Sequence, residues 1–185
     1  CRRAVKPSDG VCRNRGFIPE ALAGHAKVLG SNSGQYFELK VDYRIQHAAS
    51  MTTTNLFSND GNLSLFVAPG SLPLAMVDFL IATPWGLPGE APPDRKLIGE
   101  AYEISASNNV TSLQQPATLR LRYDSLQPAA SGQPTIYHWD LTSESWQPLK
   151  SSVDAGHHEV IATITELGVY ALMDSPAKVY LPIVC

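Results

Sequence analysis

From Tyr36 onward, apolar residues alternate with polar ones: Phe37, Leu39, Val41, Tyr43 and Ile45 are interleaved with Glu38, Lys40, Asp42, Arg44 and Gln46. Successive side chains of a strand point to opposite faces, so this period of two predicts a strand with one wet face. Residues 48 to 57 are Thr-rich and predict a second strand. It is closed by Asn59-Asp60-Gly61, where Asp-Gly suits the positive φ of a hairpin turn. Leu63 to Val67 predicts the next strand, stopped by Pro69-Gly70. Leu74 to Ala82 is more continuously apolar, as expected of a more buried strand. Pro84, Pro88, Pro92 and Pro93 then enforce a long irregular connection, because proline has no N–H to give a ladder. Strands resume at residues 98–105, 117–123, 135–140, 146–149, 159–165, 168–173 and 178–184. The pattern is an all-β chain, a β-sandwich of about ten short strands at the spacing such folds show.

The two ends read differently from this body. Residues 1–34 show no sustained period of two and are rich in Arg, Gly, Pro and Ser, which predicts an extended N-terminal arm. Pro19 followed by Glu20-Ala21-Leu22-Ala23 has the proline and helix formers of one short helical turn. The organisation expected is therefore an arm over 1–34, a sandwich domain over 35–174 and a C-terminal strand over 175–185. That last segment contains Val179, Tyr180, Leu181, Ile183 and Val184, with Pro182 confining it to a sheet edge.

Charge sharpens the contrast. Arg2, Arg3, Lys6, Arg13, Arg15 and Lys27 face only Asp9 and Glu20 in the first 30 residues, a balance of +4. The whole chain is −3, so the remainder carries −7. A basic arm on an acidic body is either a solvated tail or an arm that docks on another copy, where complementary potentials set register. Residues 72–82 form the longest apolar run, broken by Pro73 and Asp78, well short of the ~20 residues of a spanning helix. The basic arm lacks the interleaved aromatics that stack on bases, so no nucleic-acid partner is expected.

The cysteines, Cys1, Cys12 and Cys185, sit near the ends and lack the close spacing of a thiolate metal site. Disulfides or intermolecular cross-links are the expected use, in an exported chain, with lipidation of Cys1 as an alternative. Starting at Cys rather than Met is itself expected of a chain whose targeting segment has been removed. Asp154, His157, His158 and Glu159 cluster in sequence, but adjacent histidines on a strand point to opposite faces, so turn residues explain the cluster better than a metal. No G-x-S-x-G elbow, nucleotide loop or H-E-x-x-H occurs, and no catalytic residue, metal or cofactor is expected. Asn62-Leu63-Ser64 and Asn109-Val110-Thr111 fit the short N-glycosylation pattern.

Longer motifs carry a family resemblance. Residues 61–72, Gly-Asn-Leu-Ser-Leu-Phe-Val-Ala-Pro-Gly-Ser-Leu, resemble the opening of the β-sandwich domain shared by zona-occludens, ankyrin and netrin-receptor proteins. Residues 99–104 and 115–123 look like the middle of its bacterial relatives, and Tyr137-His138-Trp139-Asp140, Trp146-Gln147-Pro148-Leu149 and Val169-Tyr170-Ala171-Leu172 look like the end. The resemblance spans residues 61–173, about three fifths of the chain, and implies a sandwich used as a spacer, stalk or adhesion part. Some relatives cleave their own backbone at His-Phe-Ser; Glu166-Leu167-Gly168 stands in that place, so the resemblance implies no self-cleavage here.

Together these readings predict a secreted or cell-surface structural subunit that polymerises by terminal-strand addition. Arg2, Arg3, Arg13 and Arg15 in the arm and residues 179–184 at the other end are the expected contacts, because an unpaired sheet edge templates pairing. The alternative is a glycan- or surface-binding adhesion module using Trp85, Tyr137 and Trp139 as an aromatic platform. Trp139 and Trp146 flank a polar turn, which predicts packing across a hairpin before it predicts sugar binding.

Overall fold

The computed structural model describes residues 21–32, 35–84, 86–123 and 134–174, and for residues 21–32 and 35–41 the backbone alone. Twelve strands run in chain order: β1 (Ala21–Asn32), β2 (Gln35–Ala49), β3 (Thr54–Phe57), β4 (Leu63–Val67), β5 (Met76–Ala82) and β6 (Lys96–Ala106), then β7 (Ser112–Arg122), β8 (Thr135–Asp140), β9 (Ser145–Pro148), β10 (Ser151–Asp154), β11 (Glu159–Glu166) and β12 (Gly168–Asp174). They form a seven-stranded sheet, β1-β2-β5-β6-β12-β8-β9, and a five-stranded sheet, β10-β11-β7-β4-β3. Every recorded pairing is antiparallel. The chain is an all-β sandwich.

The inner faces meet as the alternation requires. Leu63, Leu65 and Val67 of β4 and Leu119 and Leu121 of β7 pack against Val77, Phe79 and Ile81 of β5 and Ile104, Tyr170 and Leu172 from the opposite sheet. Leu56, Leu63, Leu65, Phe79 and Leu119 have no exposed surface. The expected β3–β4 hairpin is present, with Gly61 at φ 75° in its turn. The Asp60 carboxylate accepts from Ser58 Oγ, from the Asn62 N–H and side-chain amide, and from Tyr102 Oη at 2.6 Å. Those bonds tie the hairpin turn to the other sheet.

Strand β1 departs from expectation. The segment from Ala21 onward, where helix formers predict a turn of helix, is a strand, because Ala21 to Asn32 pair residue for residue with Gln46 to Gln35. A continuous antiparallel ladder pairs the backbone groups that face the neighbouring strand over twelve residues, which one turn of helix with its costly nucleation does not match. The sheet therefore begins at Ala21 rather than at Tyr36. Residues 1–20 and 175–185, with the expected helix start and the expected strand at 178–184, lie outside the described residues. Strand β10 is only four residues long, and no local pattern separates it from its neighbours.

Strand β2 orients its two phases in an unusual sense. Arg44, Gln46 and Ala48 stand opposite Ile81, Phe79 and Val77, so the phase bearing Arg44 and Gln46 faces the other sheet. Gln46 is 8% exposed, and its Oε1 accepts from the N–H of Phe57 on β3 at 2.6 Å. Tyr43, Ile45 and His47 consequently lie on the outer face beside Ala82, Leu80 and Asp78, where His47 Nδ1 meets the Asp78 carboxylate at 2.5 Å.

Two irregularities shape the surface. Between Ala171 and Leu172 the β6 register jumps from Ala101 to Ile98, so Gly99 and Glu100 bulge out, with Gly99 at φ 69°. Pro116 sits where β7 loses register with β11, the one kind of place a sheet interior tolerates it. The proline-rich connection between β5 and β6 covers part of the outer face of the seven-stranded sheet. Leu87 and Ala91 pack there on a second, smaller core of Ala101, Tyr137, Trp146, Ala171 and Met173.

Two substitutions test this packing by urea unfolding. Phe79→Ala removes a fully buried ring and is expected to cost about 3–5 kcal/mol. Gln46→Ala strands the Phe57 N–H and is expected to cost about 1–3 kcal/mol, although it deletes a polar side chain from an apolar layer.

Candidate functional site

Three aromatic residues, Trp85, Tyr137 and Trp139, are expected to form a surface-binding platform. Tyr137 is 5% exposed in the smaller core, so its ring offers no binding face; as a member of a surface platform it is corrected. Trp139 is half-buried and lines a groove. Trp85 lies outside the described residues, as do Cys1, Cys12, Cys185, Arg2, Arg3, Arg13, Arg15, Val179, Tyr180, Leu181, Ile183 and Val184.

The groove runs along the β8–β9 margin. Trp139 and Trp146 are cross-strand partners, packed edge to face with ring centroids 5.4 Å apart, as the hairpin reading predicts. The Trp146 indole N–H points to the carbonyl of Gly89 at 3.4 Å. Gly89 comes so close that a Cβ there would lie 2.2 Å from the Trp139 ring. The proline connection thus forms one wall and the two indoles the other, enclosing about 830 Å³. Trp146, Gly89 and the carboxylates Glu90 and Glu144 of this groove do not stand out as site residues in the sequence. The available signal is a run of prolines and a tryptophan hairpin, and only packing brings them together.

A second cleft, about 520 Å³, opens at one end of the sandwich where the Gly99–Glu100 bulge lifts β6 from β12. Tyr102, Arg122, Tyr123, His157 and His158 line it. Its polar groups are largely committed to structure. Tyr102 Oη donates to Asp60, and burial, followed by that hydrogen bond and then the charge of the carboxylate, pushes the phenol well above its ordinary range. Burial acts to raise the Asp60 carboxyl, but the bonds from Ser58, Tyr102 and Asn62 outweigh it and hold it below its ordinary value. Arg122 Nε reaches Glu159 at 2.9 Å and Arg120 reaches the other oxygen at 3.3 Å. Burial pushes Glu159 up, yet these two guanidiniums bring it below its ordinary value.

The Asp154–His157–His158 cluster is a turn, as anticipated. Asp154 accepts from the N–H groups of Gly156 and His157 and from the His157 ring, bonds that hold its carboxyl low, while His158 takes φ 54°. Among the described residues no group of three or more His, Cys, Asp or Glu side chains is placed to hold a metal. Ser71, in the turn after Pro69-Gly70, is fully buried with its hydroxyl unpartnered among the described residues, which is not the setting of an activated nucleophile. His138 stacks on Tyr170 at 4.8 Å, and burial lowers its pKa despite Glu166 and Asp140. Asn62 and Asn109, the glycosylation-pattern residues, are both exposed, Asn62 just before β4 and Asn109 in a single turn of 3-10 helix.

The Glu159 cluster generates a pH prediction. Its folded pKa lies below the ordinary 4.5, so its contribution to stability is present above pH 4.5 and is lost as pH falls through the lower folded value. Glu159→Gln is therefore expected to be less stable than the parent at pH 7, with the gap closing in acid, when both are unfolded by urea across a pH series. Gly89→Ala is expected to lift the proline connection from Trp139 and red-shift tryptophan emission while leaving the strand content by circular dichroism unchanged. A scan against protein-family models and a search of curated proteins both found no match to this chain.

Proposed function

We propose that this chain is a non-catalytic structural module that joins with other copies of itself in an extracellular or cell-surface assembly. The observation that carries the reading is the phase of β2. Tyr43 and Ile45 lie on the outer face of the sheet, and the unbroken β2 ladder places Phe37, Leu39 and Val41 on that same face. Their cross-strand partners on β1 are Gly30, Val28, Ala26, Gly24 and Leu22, so one face of the β1–β2 ribbon carries apolar residues and glycine from Phe37 to Ile45, ending at the polar pair Gln35 and Asn32. The opposite face carries Glu38, Lys40, Asp42 and Arg44.

Among the described residues, 35–41 pair with β1 alone, because the β2–β5 ladder begins only at Tyr43. At ~3.4 Å per residue that is a two-stranded ribbon reaching about 24 Å past the sheet. A ribbon of this kind is marginal alone in water and gains stability when its apolar face is covered. Among the described residues strand β1 is also a long sheet edge, the element that templates pairing with another chain. The extracellular setting is supported by cysteines confined to the ends and by the resemblance of residues 61–173 to bacterial surface modules. The glycan-platform alternative is weaker, since Tyr137 is buried, which leaves Trp139 as the one aromatic of the expected platform placed at the surface among the described residues.

Sedimentation velocity and electron microscopy of the full chain test the reading. Concentration-dependent polymers are expected, and Val41→Asp, on the ribbon's apolar face, is expected to raise the midpoint of assembly at least about tenfold. Its circular dichroism should stay that of the parent. A parent chain that remains monomeric at the highest attainable concentration would rule the assembly role out.

A further inference from the structure

The groove at the β8–β9 margin has a composition that selects its occupant. Its lining includes the carboxylates of Glu90 and Glu144 beside Trp139 and Trp146, and among the described residues no lysine, arginine or histidine lines it. Both carboxylates are exposed, as is Leu141 at the rim, while Trp146 forms a buried floor. A planar guanidinium suits such a surface better than other side chains do. It stacks on an indole, pairs with a carboxylate, and sheds water more readily than an ammonium.

Four of the chain's eight arginines lie within its first fifteen residues. Residues 1–20 contain Arg2, Arg3, Arg13 and Arg15 with Lys6, against Asp9 and Glu20, while the body is acidic. We propose that this groove receives the N-terminal arginines, Arg15 foremost and Arg13 beside it, of a second copy of the chain. The inference rests on the assembly reading above and names the contact that would complement the apolar ribbon face.

Topology favours a neighbour over the chain's own arm. The order β1-β2-β5-β6-β12-β8-β9 places the strand that begins at Ala21 at one margin of the sheet and the groove at the other. From β1 to β8 is five strand spacings, about 24 Å at ~4.8 Å each. The stretch from Arg15 to Ala21, fully extended, covers at most about 21 Å, so Arg15 of the chain's own arm falls short of the groove, whereas Arg13, at most about 28 Å from Ala21, spans the distance only when nearly fully extended. A basic donor at one margin and an acidic, aromatic acceptor at the opposite one is a heterologous pairing, which repeats head to tail instead of closing on itself.

Two double variants of the full chain provide the test: Glu90→Lys with Glu144→Lys in the groove, and Arg13→Glu with Arg15→Glu in the arm. Each alone is expected to raise the midpoint of assembly in sedimentation velocity at least about tenfold, with unchanged circular dichroism. Mixing the two should restore association, because the parent arm of the groove variant meets the parent groove of the arm variant. Docking of each arm within its own molecule would not be restored by mixing. Double variants that assemble like the parent, or a mixture no larger than its components, would overturn the proposal. If Val41→Asp abolishes assembly while neither double variant affects it, the groove contact falls and the assembly reading stands. A parent that never assembles removes both.

Discussion

A strand buried on one side must choose which of its two phases to bury, and the β2 strand makes the choice that its composition argues against. Gln46 and Arg44 are turned toward the opposing sheet, where Gln46 is the acceptor for the Phe57 N–H and so links the two layers at one end. The small side chain of Ala48 completes that inner phase. Arg44 Nε is buried with no hydrogen-bond partner among the described residues, a cost that the inward phase carries. The other phase forms an outward row of large apolar residues, Tyr43 and Ile45 among them, that continues into the ribbon with β1. The rest of the sandwich obeys the ordinary rule, with Phe79, Leu65 and Leu119 fully buried between the sheets.

The same sheet shows how irregular backbone is put to use. The prolines between β5 and β6 forbid a ladder, and the segment instead lies across the outer face, giving Ala101, Tyr137, Ala171 and Met173 a second layer to pack against. This explains why β12 is buried on both faces despite belonging to an antiparallel sandwich. The two-residue bulge at Gly99–Glu100 opens the end of the sandwich, but the polar groups around that cleft are drawn into internal pairs: Tyr102 with Asp60, Arg120 and Arg122 with Glu159, His157 with Asp154. Such networks hold turns and strand ends in place. The Trp–Pro groove and the ribbon are the surfaces on which the proposed assembly rests.

Much of this architecture is legible in the chain. Alternation marks β2, β4, β7 and β11, and Asp60-Gly61 marks the β3–β4 turn, because these signals are local and each depends only on the period of the strand or the φ of one residue. Trp139 opposite Trp146 follows from the hairpin between them. Strand β1 escapes such reading, since Gly24, Ala26 and Gly30 dilute its apolar phase and only the ladder with β2 makes it a strand. Tyr137 escapes in the opposite way. Its neighbours give no sign that a loop some fifty residues earlier will cover it.

Sequence alone determined the class of fold, the positions of most strands, the placement of the cysteines at the ends and the division into basic arm and acidic body. Each of these is a property of composition or of a short repeat. The tertiary structure decided which phase of β2 faces the core, where the proline connection lies and which carboxylates stand beside the two indoles. Those outcomes depend on contacts between residues far apart in the chain, and a period of two is the same whichever face is turned inward.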